Sequence, residues 1–124
     1  MSNPNHSAKT NVVDSPHMVL FPNRMMVHIF YGENEIMVYL PKPFPNDMAP
    51  EVLDITGKQE LRAYREIPIR NGKRHNHIVA SYNPKAKFLV IQHRKRSYAV
   101  RFPAGVKEIC CGGSKTTFRE KNAA

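Results

Sequence analysis

Residues 61–102, LRAYREIPIRNGKRHNHIVASYNPKAKFLVIQHRKRSYAVRF, decide the fold class of this chain. Runs of branched and aromatic residues alternate here with short polar segments, a pattern that is typical of consecutive β-strands. The dipeptide Asn71-Gly72 predicts a tight hairpin turn, because both central positions of such a turn need a positive φ. Residues 83–86 and the charged cluster at 93–97 predict the next two turns. We therefore expect four antiparallel strands in sequence order.

Residues 87–92 are apolar on both faces of the predicted strand. Phe88 and Val90 point to one side, and Leu89 and Ile91 point to the other, since side chains alternate along a strand. A half-exposed strand would carry polar residues on one of its faces. We therefore expect this strand at the centre of the sheet.

Further strands precede this region. Residues 25–31 and 35–40 predict a hairpin around Gly32, and the three prolines of residues 41–45 indicate an extended connector. Residues 46–56 fit a short helix or a short strand equally well. The chain is therefore expected to be all-β, a small antiparallel meander of six to seven strands in a curled sheet or small barrel.

The two ends of the chain differ from this β-rich middle. Residues 1–18 and 112–124 are mostly polar, and we expect flexible, disordered tails around a single β domain over residues 19–111. No run of about 18 apolar residues exists, so no segment is expected to span a membrane. The first residues lack the apolar core of a secretory signal, which predicts a cytoplasmic location. Cys110 and Cys111 are expected to be reduced thiols there.

Charge is distributed unevenly along the chain. The formal net charge is +9, from 19 Lys and Arg and 10 Asp and Glu. Residues 67–107 contain ten of the cations and no carboxylate, whereas residues 1–66 carry a net charge of −2. The cations of such a stretch must point into water or meet an anionic partner. Nucleic acid is the partner class that we expect first.

The expected turns collect these cations at one edge of the sheet. Alternate turns of a meander share an end, so the turn at residues 71–72 and the turn at residues 93–97 should lie about 10 Å apart. Arginine and lysine there suit the phosphates of RNA or DNA. Two nearby tyrosines offer stacking surfaces for unpaired bases, which slightly favours single strands. The predicted nucleic-acid-binding residues are Arg70, Lys73, Arg74, Lys85, Lys87, Arg94, Lys95, Arg96, Arg101, Tyr82 and Tyr98.

Two other functions use the same residues. A protein-interaction or inhibitor module would dock an acidic protein surface on the basic edge, and an uncovered edge strand would allow a homodimer. A metal-independent ribonuclease would need an acid, a base and cations near a phosphate. The groups available for that chemistry are His75, His77, His93, Tyr98, Arg94 and Arg96.

The histidines raise the question of a metal. His75 and His77 share one face of the predicted strand, a spacing that metal sites use. A third ligand would have to come from His28, His93 or Glu66, and only if the fold brings one of them close. Exposed histidines in a basic strand explain the pair as well, so neither a metal nor any other cofactor is predicted.

Overall fold

The computed structural model describes residues 15–58, 66–93 and 95–119, which form two antiparallel sheets of five strands each. The strands are β1 (His17–Leu20), β2 (Met26–Tyr31), β3 (Asn34–Tyr39), β4 (Val52–Asp54), β5 (Ile67–Asn71), β6 (His77–Asn83), β7 (Phe88–His93), β8 (Arg96–Arg101), β9 (Glu108–Cys111) and β10 (Ser114–Thr117). The first sheet has the order β1-β2-β3-β9-β10, and the second sheet has the order β4-β8-β7-β6-β5. A 3-10 turn over Gly72–Arg74 separates β5 from β6.

The hydrophobic core lies between the two sheets. In β2, Ile29 and Tyr31 are buried and the residues that alternate with them are only partly buried, as a strand with one covered face requires. Leu89 and Ile91 of β7 are buried in the same cluster. The rings of Tyr31 and Tyr98 meet edge to face with centroids 5.8 Å apart, and this contact joins the two sheets.

The all-β prediction is confirmed, and so are the β2–β3 hairpin and the succession of antiparallel strands from β5 to β8. β7 is the central strand of the second sheet, as its apolar residues on both faces indicate. Leu89 faces the main core, whereas Val90 packs with Ile55 and Ala99 in a small cluster on the other face.

The prediction of one curled sheet or small barrel with six to seven strands is wrong. The β2–β3 hairpin and the β5–β8 meander lie in different sheets and bury their apolar faces against each other. The sequence assigns residues 17 and 18 and residues 114–117 to tails, but the former begin β1 (His17–Leu20) and the latter form β10 (Ser114–Thr117). Within residues 46–56, Val52–Asp54 form the edge strand β4. Residues 1–14, 59–65, 94 and 120–124 lie outside the described residues.

The predicted two-residue turn at Asn71-Gly72 is also wrong. Asn71 has an extended conformation, with φ −94° and ψ 106°, and the two left-handed residues are His75 and Asn76. The Asn71 side chain accepts a hydrogen bond from the Lys73 N–H at 2.9 Å, which starts the 3-10 turn. Gly72 lies so close to the first sheet that a Cβ there would be 2.6 Å from the Gly112 carbonyl oxygen. Tertiary contact therefore overrides the local turn preference.

Candidate functional site

The β5–β6 loop and the β7–β8 turn lie at the same end of the second sheet. Asn71 pairs with His77 at the base of the loop, and His93 pairs with Arg96 at the base of the turn. The strand order β8-β7-β6-β5 therefore places them side by side, as the sequence predicts. The exposed cations at this end, which we name the basic rim, are Arg70, Lys73, Arg74, Lys95 and Arg96. Arg94, which the sequence also assigns to this edge, lies outside the described residues.

Three predicted binding residues lie at the other end of the molecule. Lys85 and Lys87 are exposed in the β6–β7 turn, and Arg101 is exposed at the last position of β8. Since β8 runs from Arg96 to Arg101, its length separates them from the basic rim by about 17 Å. The structure therefore divides the predicted binding residues into two groups.

Two cations of the basic rim have a carboxylate partner inside the protein. Arg74 forms an ion pair with Glu33 of the β2–β3 turn, and the Arg96 guanidinium lies 2.5 Å from the Asp54 carboxylate of β4. The pKa of Asp54 is lowered, mainly because Thr56 hydrogen bonds to it through its side chain and backbone, and further by the charge of Arg96. Carboxylates from outside residues 67–107 thus neutralise two of the cations within that stretch.

The other three cations of the basic rim, Lys73, Lys95 and Arg70, are available to bind an anion. Lys73 and Lys95 are exposed, and no carboxylate within the described parts of the chain lies within 4 Å of either amino group. Arg70 donates from Nη1 to the Asn76 carbonyl at 2.9 Å, which directs its guanidinium along the loop. A guanidinium with one bond to a carbonyl still has donors for an anion.

Asn71 fixes the β5–β6 loop to the first sheet. Its side chain is 4% exposed and donates from Nδ2 to Oδ1 of Asn34 at 2.6 Å. Gly112 of the β9–β10 turn packs against it, so that a Cβ at Gly112 would lie 2.0 Å from the Asn71 Oδ1. The sequence shows Asn71 only as a turn residue and Gly112 only as part of a tail. Their structural role depends on contacts between sheets, which no local pattern reveals.

The two tyrosines do not face the solvent. Tyr82 is 1% exposed and Tyr98 is 5% exposed, and both belong to the core between the sheets. Burial raises the pKa of Tyr82 to about 12. Neither ring is accessible for stacking on a base, so this part of the predicted site is corrected. Base stacking on these two rings therefore does not favour single strands.

The histidines do not form the predicted pair. His75 lies in the β5–β6 loop with φ 58°, and His77 begins β6, so they do not share a strand face. Both are exposed. His28 lies in the first sheet, where its Nε2 is 3.4 Å from the Glu35 carboxylate. In the parts of the chain that are described, no three His, Cys, Asp or Glu side chains are grouped to hold a metal ion.

The two cysteines are free thiols on opposite faces of β9. Cys111 is buried in the core and Cys110 is partly buried, with its Sγ 3.3 Å from a Glu108 carboxylate oxygen. Burial is the main cause that raises the pKa of both thiols. Neither thiol is therefore activated as a nucleophile.

Comparison with known proteins gives no relative: no protein-family model, curated protein or solved structure matches the chain. Among the residues that the structure describes, no helix has the length and apolar character needed to cross a membrane.

Proposed function

We propose that the protein binds nucleic acid by contacting backbone phosphates with the basic rim. The observation that carries this proposal is that two cationic turns meet at one end of the second sheet. All five cations of the basic rim are exposed there. Asn71 holds one of these turns against the first sheet, so part of the surface is ordered before binding. Lysine and arginine arranged in this way recognise phosphate without reading base sequence.

The number of phosphates contacted can be measured from the salt dependence of binding. If only Lys73, Lys95 and Arg70 contact phosphates, log K should fall with log salt at a slope of about −2.7 for a duplex and about −2.1 for a single strand. If Arg74 and Arg96 exchange their carboxylates for phosphates, the slope should approach about −4.5 for a duplex and about −3.5 for a single strand. Fluorescence anisotropy with labelled single- and double-stranded oligonucleotides between 50 and 200 mM salt gives this slope for both kinds of strand.

A paired substitution tests whether the basic rim is the binding surface. Lys73→Gln with Lys95→Gln should weaken binding by about tenfold at low salt and flatten the slope by about 1.8 for a duplex and about 1.4 for a single strand. The matched control is Lys42→Gln with Lys107→Gln, which removes the same charge from two exposed lysines at the opposite end. Equal losses in the two variants, or a complex that does not respond to salt, would refute the proposal.

A second candidate is a module that docks an acidic protein surface. One observation favours it: Arg74 and Arg96 already bind carboxylates, those of Glu33 and Asp54. An acidic peptide should then displace the oligonucleotide at equal charge concentration, whereas a nucleic-acid-binding protein should retain it. The ribonuclease hypothesis stays a prediction. One of the residues that it requires, Tyr98, is buried. If labelled RNA stays intact during incubation with the protein, the ribonuclease hypothesis is excluded.

A further inference from the structure

A cleft of about 510 Å³ opens at the end of the second sheet opposite the basic rim. Its apolar lining includes Met48, Leu53 and Phe88, together with Phe44 and Pro103. Leu53 is 51% exposed and Met48 is 47% exposed, so the cleft offers apolar surface to the solvent. A volume of this size is typical of sites that take small molecules or short peptides.

Three charged side chains line the same cleft. Asp47 and Glu51 lie on the segment before β4, and Arg101 lies at the end of β8. Across the described residues, none of the three is within 4 Å of an opposite charge. The Arg101 guanidinium instead lies over the ring of Phe88, 4.7 Å from its centroid. The cleft therefore presents both signs of charge without pairing them.

Arg24 holds the part of the wall that carries Asp47. Its guanidinium donates to the carbonyl oxygens of Phe44, Pro45 and Met48 at 3.0, 2.7 and 2.6 Å. Its own carbonyl accepts the Phe44 N–H at 2.7 Å, and its φ of 60° places it in the left-handed region. A non-glycine residue keeps such a conformation where its surroundings hold it. A wall that is ordered before binding reduces the entropy lost when a ligand binds.

The charges of the cleft select among ligand classes. An anion would be repelled by Asp47 and Glu51, and a cation would be repelled by Arg101. A neutral apolar ligand would take all three charges out of water without giving them partners, which is unfavourable. A ligand with one ammonium and one carboxylate group gives each of them a partner.

We propose that this cleft binds a zwitterionic ligand with an apolar body, of the size of a di- or tripeptide. Its ammonium group contacts Asp47 and Glu51, its carboxylate contacts Arg101, and its apolar side chains lie on Leu53 and Phe88. This site is independent of the basic rim and makes no use of nucleic acid.

The test is a titration of the full isotope-labelled chain with the dipeptide Leu-Leu, followed by amide chemical shifts. Saturable shifts should appear around Leu53, Phe88 and Arg101, with a Kd on the order of 1 mM or tighter. The N-acetylated and the C-amidated dipeptide should each bind about tenfold more weakly, because each lacks one charged contact. Absence of saturable shifts, or equal binding of the free and capped dipeptides, would overturn the proposal.

Arg101→Gln identifies the residue that receives the carboxylate. This variant should bind the free and the amidated dipeptide equally, while still discriminating against the acetylated form. The matched control is Lys85→Gln, which makes the same charge change on an exposed side chain at the same end but outside the cleft. If both variants retain the preference for the free carboxylate, Arg101 does not recognise it and the proposal fails. Binding of oligonucleotides at the basic rim is measured separately and does not depend on this result.

Discussion

At the scale of single residues, Arg74 and Arg96 differ from the two lysines of the basic rim in having a carboxylate within the molecule. The partner Glu33 lies in the β2–β3 turn of the first sheet, and the partner Asp54 lies in the edge strand of the second. Exposed ion pairs of this kind contribute little to stability, because solvent screens them, so a phosphate can replace the carboxylate. The two acids therefore act as internal competitors for an anionic ligand.

Glu33→Gln tests this competition. The variant should bind a labelled oligonucleotide about threefold more tightly, because Arg74 is released and one repelling charge is removed. The salt slope should also become steeper by up to about 0.9, as one more phosphate is contacted. Glu51→Gln removes an exposed carboxylate far from the basic rim and serves as the control in the same anisotropy measurement. Identical affinities of the two variants would contradict the competition.

Tyr82 makes the stability of the protein depend on alkaline pH. Burial raises its pKa to about 12 in the folded chain, against about 10 in an unfolded chain. The folded state therefore favours the neutral phenol, and this contribution is complete below pH 10 and is lost as the pH rises through 12. The free energy of unfolding should fall by about 2 kcal/mol more over this interval than it does in Tyr82→Phe. Denaturant unfolding at several pH values measures this difference. If the free energy of unfolding depends on pH equally in the two proteins, the prediction is wrong.

At the scale of elements, the basic rim depends on a contact between the β5–β6 loop and the β9–β10 turn. The loop belongs to the second sheet and the turn to the first, and they meet where Gly112 lies against Asn71. The Asn71 amide reaches one step further, to Asn34 at the start of β3. Three elements thus fix the position of Lys73, whose N–H is held by the same side chain.

Gly112→Ala and Gly113→Ala form a matched pair that tests this contact. Both residues have a positive φ, of 55° and 90°, but a Cβ at Gly112 would strike Asn71, whereas nothing lies within 4 Å of a Cβ at Gly113. Although Gly113 has the less favourable φ for alanine, Gly112→Ala should be the more destabilising by about 1–3 kcal/mol in denaturant unfolding. It should also weaken oligonucleotide binding, because the loop with Lys73 must move. A larger effect of Gly113→Ala on both measurements would show that this contact is unimportant.

At the scale of the whole molecule, the cations form two groups at opposite ends rather than one continuous surface. Lys85 and Lys87 lie about 17 Å from the basic rim, which exceeds the Debye length of about 8 Å at physiological salt. Screening at that distance makes the two ends nearly independent. A short oligonucleotide on the basic rim should therefore be insensitive to the far end.

Lys85→Gln with Lys87→Gln tests this independence. At physiological salt the double variant should bind a short oligonucleotide within about twofold of the unmodified protein. Lys73→Gln with Lys95→Gln, which changes the same net charge, should lose much more affinity. A comparable loss in both would mean that the ligand extends along the whole second sheet. A longer oligonucleotide in the same anisotropy experiment distinguishes a ligand of that length.

Much of the strand pattern and part of the basic rim could be predicted from the sequence, because both arise from local order along the chain. The alternation of buried residues in β2 and the apolar run of β7 follow from the period of two, and consecutive hairpins place alternate turns at one end. The predictions that failed concern elements that form only through contact with other strands. Ser114–Thr117 has no apolar residue to mark it, and it became a strand through pairing with Ile109 and its neighbours.

The sequence by itself determined the all-β class, the central place of β7 and the position of two cationic turns at the same end of a sheet. Only the tertiary structure decided that the strands form two sheets, that Tyr82 and Tyr98 are buried between them, and that Arg74 and Arg96 meet Glu33 and Asp54. The physical reason is that periodicity and turn chemistry act between near neighbours in the chain. Burial and charge pairing depend instead on residues that are distant in sequence, and these come together only when the two sheets pack.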